Sequence, residues 1–191
     1  MNEPPDDPVC TENRSDTEST GQRKHSGSTD LLFRALASGF GVGYIPVASG
    51  TFGTLWGIPL FLLLHLWDGQ KLGSLSLGPI VYFGGTFAFI LLSCWVSHRA
   101  ESLFGEHDSG KVIIDEVAGL LVSLSFFPVQ WTWVLAGFIA FRFFDILKPF
   151  PIGMIDKKVG GGIGVVLDDL IAGVYANAAV WLVILVRGVV L

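Results

Sequence analysis

Two stretches of this chain, residues 72–97 and 117–141, contain no charged side chain. Runs of this kind have no polar face to turn towards water, and they approach or exceed the roughly 20 apolar residues that cross a bilayer as a helix. Gly78 to Ser97 is the clearest spanning segment. Leu55 to Trp67 and Leu170 to Val186 are further apolar runs. They are rich in Leu, Val and Phe without clean alternation, so helices are predicted and no strand. Charged residues make up 15% of the chain, well under the roughly 25% usual in soluble domains. The predicted fold is all-α: a compact helical bundle embedded in a membrane, with its Gly-rich and charged loops gathered on one face.

The net charge of −5 sits mostly in the first 30 residues, which hold seven acids and three bases. Residues 1–28 are too polar to bury enough surface to offset chain entropy, so a disordered tail is predicted there. Residues 29–191 form the helical membrane domain. The tail lacks the apolar core of a signal peptide. Cys10 and Cys94 make no disulfide framework, and no C-x-x-C pair exists to bind zinc. No basic patch interleaves with aromatics, which argues against a nucleic-acid partner.

Pro128 interrupts the run 117–141. A single span there would put Asp115 and Asp145 on opposite sides of the membrane. A break at Pro128 returns both to one side, as a shallow hairpin of two short helices inside the bundle. The hairpin is the preferred reading. It collects Arg23, Lys24, Arg34, Arg99, Lys111, Arg142, Lys148, Lys157 and Lys158 on one face against Lys71 opposite. The positive-inside rule makes that face cytoplasmic.

Three acidic clusters border apolar runs: Asp115–Glu116, Asp145 and Asp168–Asp169. Gly119 lies four residues after Asp115, and Ala172 and Gly173 lie four after Asp168 and Asp169. On a helix such positions share a face, leaving open space beside the carboxylates. Carboxylates with room beside them suit a hard, oxygen-seeking cation such as Mg²⁺. The plainer reading is helix capping, since acids are stabilised at helix N-termini. Repetition of the same layout three times favours the metal.

Arg142, Asp145 and Lys148 are spaced by three, as on one helical face that Pro149 then ends. They could hold a phosphate beside a metal, although from spacing alone an ordinary salt-bridge ladder is the simpler reading. Gly39 to Thr54 reads as a Gly-rich loop whose amides, with Thr51 and Thr54, could meet a phosphate; no GK[ST] follows to make it a Walker loop. Gly161, Gly162 and Gly164 could admit substrate or simply make a turn. His98 and His107 are candidate bases, though solvated histidines are commoner. The chain has neither a C-x₅-R loop nor a D-x-D nucleophile motif, which leaves metal-assisted hydrolysis among phosphatase chemistries.

Three segments, GFGVGYIPVASGTFGT, IIDEVAGLLVSL and FRFFDILKPFPIGMIDKKVGGGIGVVLDDLIAG, together resemble the phosphatidylglycerophosphatase A family. The third is the most specific: FDxxKPxP, a Gly pair, then DDxxAG. The resemblance runs from about Leu32 to Val186. It implies an all-helical protein of the bacterial inner membrane with a phospholipid substrate. It also implies Mg²⁺-dependent removal of the terminal phosphate from phosphatidylglycerophosphate. Asp115, Glu116, Asp145, Lys148, Asp168 and Asp169 carry over as the site, with Thr51 from the first motif. Ser49 stands where that motif usually has proline.

The expected metal ligands are thus Asp115, Glu116, Asp145, Asp168 and Asp169, around one or two Mg²⁺. Lys148 and Arg142 would neutralise phosphoryl charge, and the nucleophile, water or an Asp, stays open. A lipid phosphotransferase is the rival enzyme, but its DG-x-x-AR run is missing. An ion transporter is the non-enzyme rival; it predicts acids spread through membrane depth.

Overall fold

A computed structural model of the chain describes residues 27–45, 48–72, 74–104 and 112–190. Apart from Gly27 and Ser28, the predicted tail lies outside them, as do Lys111 and His107. Seven α-helices are seen among the described residues: α1 Ser28–Ala37, α2 Ser49–Leu64, α3 Leu77–Phe104, α4 Ile114–Ser123, α5 Trp131–Leu147, α6 Ile152–Lys158 and α7 Gly161–Val190. The all-α prediction holds, with one small addition. Two two-residue strands, β1 Lys71–Leu72 and β2 Leu75–Ser76, pair antiparallel in the α2–α3 connection. They are too short to carry an alternating pattern.

Three segments are long and apolar enough to cross a membrane: Ser49–Trp67, Leu77–Glu101 and Gly161–Gly188. Large apolar side chains such as Phe87, Trp95, Ile139 and Leu182 stand exposed on the bundle's outside. Such a surface suits lipid rather than water. The chain is a membrane protein.

α4 and α5 form the expected hairpin, broken over 124–130 around Pro128. Where α4 ends, Ser123 to Ser125 are buried, and buried backbone outside a helix is tolerated at membrane depth only where its polar groups find partners. Asn177 of α7 donates to the carbonyls of Ser123 (2.9 Å) and Ser125 (2.7 Å). Tyr82 of α3 donates to the Leu121 carbonyl at 2.6 Å. The hairpin is not shallow, however. Its tip, Phe126 to Pro128, shares a cavity with His65 and Asp68 of the α2–α3 connection and Gly78 at the start of α3. Depth comes from α5, whose 17 residues span about 25 Å at 1.5 Å each. α5 outruns the apolar stretch because Arg142 and Asp145, three apart, pair on its last turns.

Two further expectations change. Gly39 to Thr54 is not one loop: α2 begins at Ser49. Ser49 is thus the first residue of a helix, a position that also favours proline, so the exchange noted in the first motif costs little geometry. And α7 begins at Gly161, nine residues before the apolar run. A Gly-rich start hides a helix from propensity. Gly162 belongs there because its face lies directly on the α3 backbone at His98, so it makes a helix contact rather than a turn.

Candidate active site

The small residues bring helices together rather than leaving space. A Cβ on Gly119 of α4 would stand 2.7 Å from the Asp169 carbonyl oxygen of α7. One on Gly53 of α2 would stand 2.6 Å from Ile113 Cβ and 2.8 Å from Glu116 Oε2. Close approach through small residues is how membrane helices pack without a hydrophobic drive. Here it draws the acids of three separate segments to one place.

That place is a cavity of about 160 Å³, lined by Val112, Asp115, Glu116, Asp145, Lys148, Val165, Asp168 and Asp169. A larger cavity of about 360 Å³ lies at the other end of the bundle, around His65 and Phe126, but no carboxylate cluster lines it. All five predicted metal ligands and Lys148 thus meet, and Asp115 and Asp145 share one side. Asp168 and Asp169 are the eighth and ninth residues of α7, roughly 11 Å beyond its start. The cavity is therefore recessed below the start of α7 while lying at the ends of α4 and α5.

Capping does not account for these acids. Only Asp115 and Glu116 occupy a first helical turn. Asp168 and Asp169 are two turns inside α7, and Asp145 is near the C-terminus of α5, where the helix dipole disfavours an acid.

Polar contacts tie the cluster together. Arg142 Nη1 donates to Asp145 Oδ2 at 2.7 Å and lies 3.5 Å from Glu116 Oε1. Lys148 Nζ donates to Asp168 Oδ2 at 2.8 Å. Lys148 is not on the α5 face with Arg142. It caps the helix at φ 42°, ψ 57°, because the residue before Pro149 is pushed out of right-handed helical geometry. That turn sends its ammonium to α7 instead of Asp145. Asp115 Oδ1 accepts from the Glu116 amide at 3.0 Å, and Asp168 Oδ1 from the Asp169 amide at 3.1 Å.

Thr51 does not line the cavity. Thr54, one turn on and fully buried, takes the inner position. Its hydroxyl donates to the Gly50 carbonyl at 2.7 Å, lies 3.2 Å from Glu116 Oε2, and accepts from Arg142 Nη1 at 3.4 Å. The signal was in the sequence: Gly50, Thr54 and Gly57 recur at helical spacing as a small inner face. His98 is exposed and outside the cavity.

Five carboxylates against two cations leave buried negative charge in excess. Burial pushes Glu116 up to about 7, with Asp145 adding to the rise and Arg142 opposing it. Burial, then Glu116, raises Asp115 well above the usual carboxylate range. Among the described residues no three acidic or His/Cys side chains already surround one point as metal ligands; Lys148 and Arg142 engage several of them. The donor set nonetheless fits a hard divalent cation: it is all carboxylate oxygen, buried or half-buried, and short of positive charge.

The family model of phosphatidylglycerophosphatase A matches residues 35–184, which contain every residue of this cavity. The chain belongs to the phosphatidylglycerophosphatase A family. A phosphatidylglycerophosphatase A of Haemophilus influenzae is 39% identical over 147 residues, covering 76% of this chain and 85% of the relative. That of Escherichia coli is 36% identical over 149 residues, covering 78% and 81%. A Bacteroides thetaiotaomicron protein provisionally named a phosphatidylinositol-3-phosphatase is 38% identical over 153 residues, covering 74% and 86%. No solved structure matches the chain. Membership in phosphatidylglycerophosphatase A lends no support to the phosphotransferase or transporter readings. The acids also lie at one level of the bundle, not along a path through it.

Proposed function

We propose that this chain hydrolyses the terminal phosphate of phosphatidylglycerophosphate to give phosphatidylglycerol, with Mg²⁺ as cofactor. The observation that carries the reading is the convergence of Asp115, Glu116, Asp145, Asp168 and Asp169 with Lys148 in one cavity recessed below the start of α7. Asp115, Glu116, Asp145, Asp168 and Asp169 would hold Mg²⁺, a hard Lewis acid that polarises a phosphoryl group. Lys148, on its left-handed cap, reaches the cavity from outside the helix ladder and neutralises charge on phosphoryl oxygens. Arg142, engaged with Glu116, Asp145 and Thr54, keeps those groups apart and oriented. The apolar exterior lets the diacyl tails stay in the bilayer while the head group enters.

The setting follows from charge. Arg34, Arg99, Arg142, Lys148 and Lys158 belong to the cavity end, against Lys71 and Arg187 at the opposite end. By the positive-inside rule the cavity faces the cytoplasm, and the bacterial relatives suggest the inner membrane. Purified protein in detergent should release inorganic phosphate from phosphatidylglycerophosphate, stop when a chelator is added, and recover with Mg²⁺. Preference for phosphatidylinositol 3-phosphate would reassign the substrate, and chelator-resistant turnover would remove the metal.

A further inference from the structure

The first turn of α4 is a partition between two spaces. Val112, Asp115 and Glu116 line the acid cavity. Ile113, Ile114 and Val117, interleaved with them, line a separate groove of about 200 Å³. Helical spacing produces this: residues 114 and 117 share a face, and 115 and 116 fall on the opposite one. The groove's other walls include Leu36 of α1, Trp56 and Leu60 of α2, and Phe89 and Leu92 of α3. None of its lining residues is charged. Trp56 and Leu92 are partly exposed on the apolar outside of the bundle, so the groove opens towards lipid.

We propose that this groove seats part of one acyl chain of the lipid whose phosphate is cleaved in the acid cavity, an inference that rests on the lipid-phosphatase reading above. The acid cavity lies roughly two helical turns below the start of α7. Because the α4 first turn walls both spaces, a lipid whose terminal phosphate enters the cavity has its glycerol and upper chains within reach of the groove beside it. The shared wall is held on both sides. The Ile113 amide donates to the Ala37 carbonyl of α1 at 2.9 Å, and Ser93 Oγ of α3 donates to the Ile114 carbonyl at 3.1 Å. A groove standing ready costs little to fill, and an all-apolar lining disfavours a hydrated occupant. Seating one chain beside the cleaved head group would make turnover depend on chain length.

The test compares dioleoyl with dihexanoyl phosphatidylglycerophosphate in mixed micelles. Leu92→Trp and Leu60→Trp fill the groove from two walls without touching the acids. Each should lower kcat/KM for the dioleoyl lipid about tenfold or more, the order of specificity a hydrophobic pocket supplies, and leave the dihexanoyl lipid unchanged. Unchanged turnover of both lipids by both variants would overturn the proposal. Wild-type protein inert towards both would instead defeat the parent reading. Should the variants lose both activities together, photolabelling of the wild type decides. A dioleoyl analogue with a diazirine on its chain should label α2 and α3 near Leu60 and Leu92, and unlabelled phosphatidylglycerophosphate should protect them. Equal protection by phosphatidylcholine assigns the groove to bulk lipid and refutes substrate seating.

Discussion

Gly119→Ala adds one methyl group at the closest approach of α4 and α7. Its Cβ would stand 2.5 Å from Phe141 Cε2 and 2.7 Å from the Asp169 carbonyl oxygen, where ordinary contact begins at 3.4 Å. The carbonyl is backbone and cannot rotate aside, so the two helices have to part by about 0.7 Å. Overpacking of this kind costs about 1–3 kcal/mol. The catalytic effect should reach the upper end of that range, since 100-fold in rate is about 2.7 kcal/mol. α4 carries Asp115 and Glu116, α7 carries Asp168 and Asp169, and a misplacement near 1 Å commonly costs about 100-fold in rate. The assay is phosphate release from phosphatidylglycerophosphate at saturating Mg²⁺, with a thermal unfolding midpoint in the same detergent. Gly84→Ala is the control: nothing lies within 4 Å of its added Cβ, so it should keep full activity and gain up to about 1 kcal/mol from helix propensity. If Gly119→Ala turns over within twofold of wild type, close α4–α7 packing does not set the site, and the reasoning fails.

Asp145→Asn keeps size but removes charge, and should lower turnover by about 100-fold or more as a member of a cooperating unit; near-normal activity with unchanged Mg²⁺ dependence would show Asp145 to be only Arg142's partner. Asn177→Leu strips two carbonyls at the α4–α5 turn of their donor and should destabilise the fold by about 1–3 kcal/mol, read as a lower unfolding midpoint. Without divalent cations, Glu116 titrates near 7 in the fold against 4.5 ordinarily, and Asp115 is raised too. The folded state then binds more protons, so the unfolding midpoint should fall as pH climbs from 4.5 through 7; a rise over that window would contradict it.

Much of the architecture was legible because apolar length and proline act locally. Uncharged runs marked the spans, and Pro128 marked the hairpin that returns Asp145 to Asp115. What stayed hidden depended on contacts between segments. The start of α7 at Gly161 is invisible to propensity, since Gly162 is justified only by the α3 backbone it rests on. For the same reason Asp168 and Asp169 read as a helix start, when they lie two turns inside. Thr51 and Thr54 look alike one by one; the Gly50, Thr54, Gly57 spacing that separates them counts only once α2 is seen to begin at Ser49 and to pack on Glu116. The reach of Lys148 to Asp168 follows from a left-handed cap that spacing rules do not foresee.

The acid cavity is costly to build, and that cost explains where it was built. Buried like charges repel and lose hydration, an expense of several kcal/mol per uncompensated ion. On a mobile loop the carboxylates would swing apart into water. Here they project from α4, α5 and α7, helices locked by the Gly119–Gly173 contact and by the Asn177 bonds to the hairpin turn. A rigid frame holds them close enough that a cation, or a proton, is the cheapest relief. The raised titration of Glu116 and Asp115 is the same strain seen from the proton's side. Removing one carboxylate should therefore have opposite effects on two measurements: it should weaken turnover, and it should stabilise the cation-free fold. Asp115→Asn offers that comparison, because Asp115 is buried and its carboxylate accepts from backbone amides, those of Glu116 and Asp115 itself, rather than from a cation. Its cation-free unfolding midpoint should rise at neutral pH while phosphate release falls. A variant that lost both stability and turnover would mean that Asp115 holds the fold together rather than straining it.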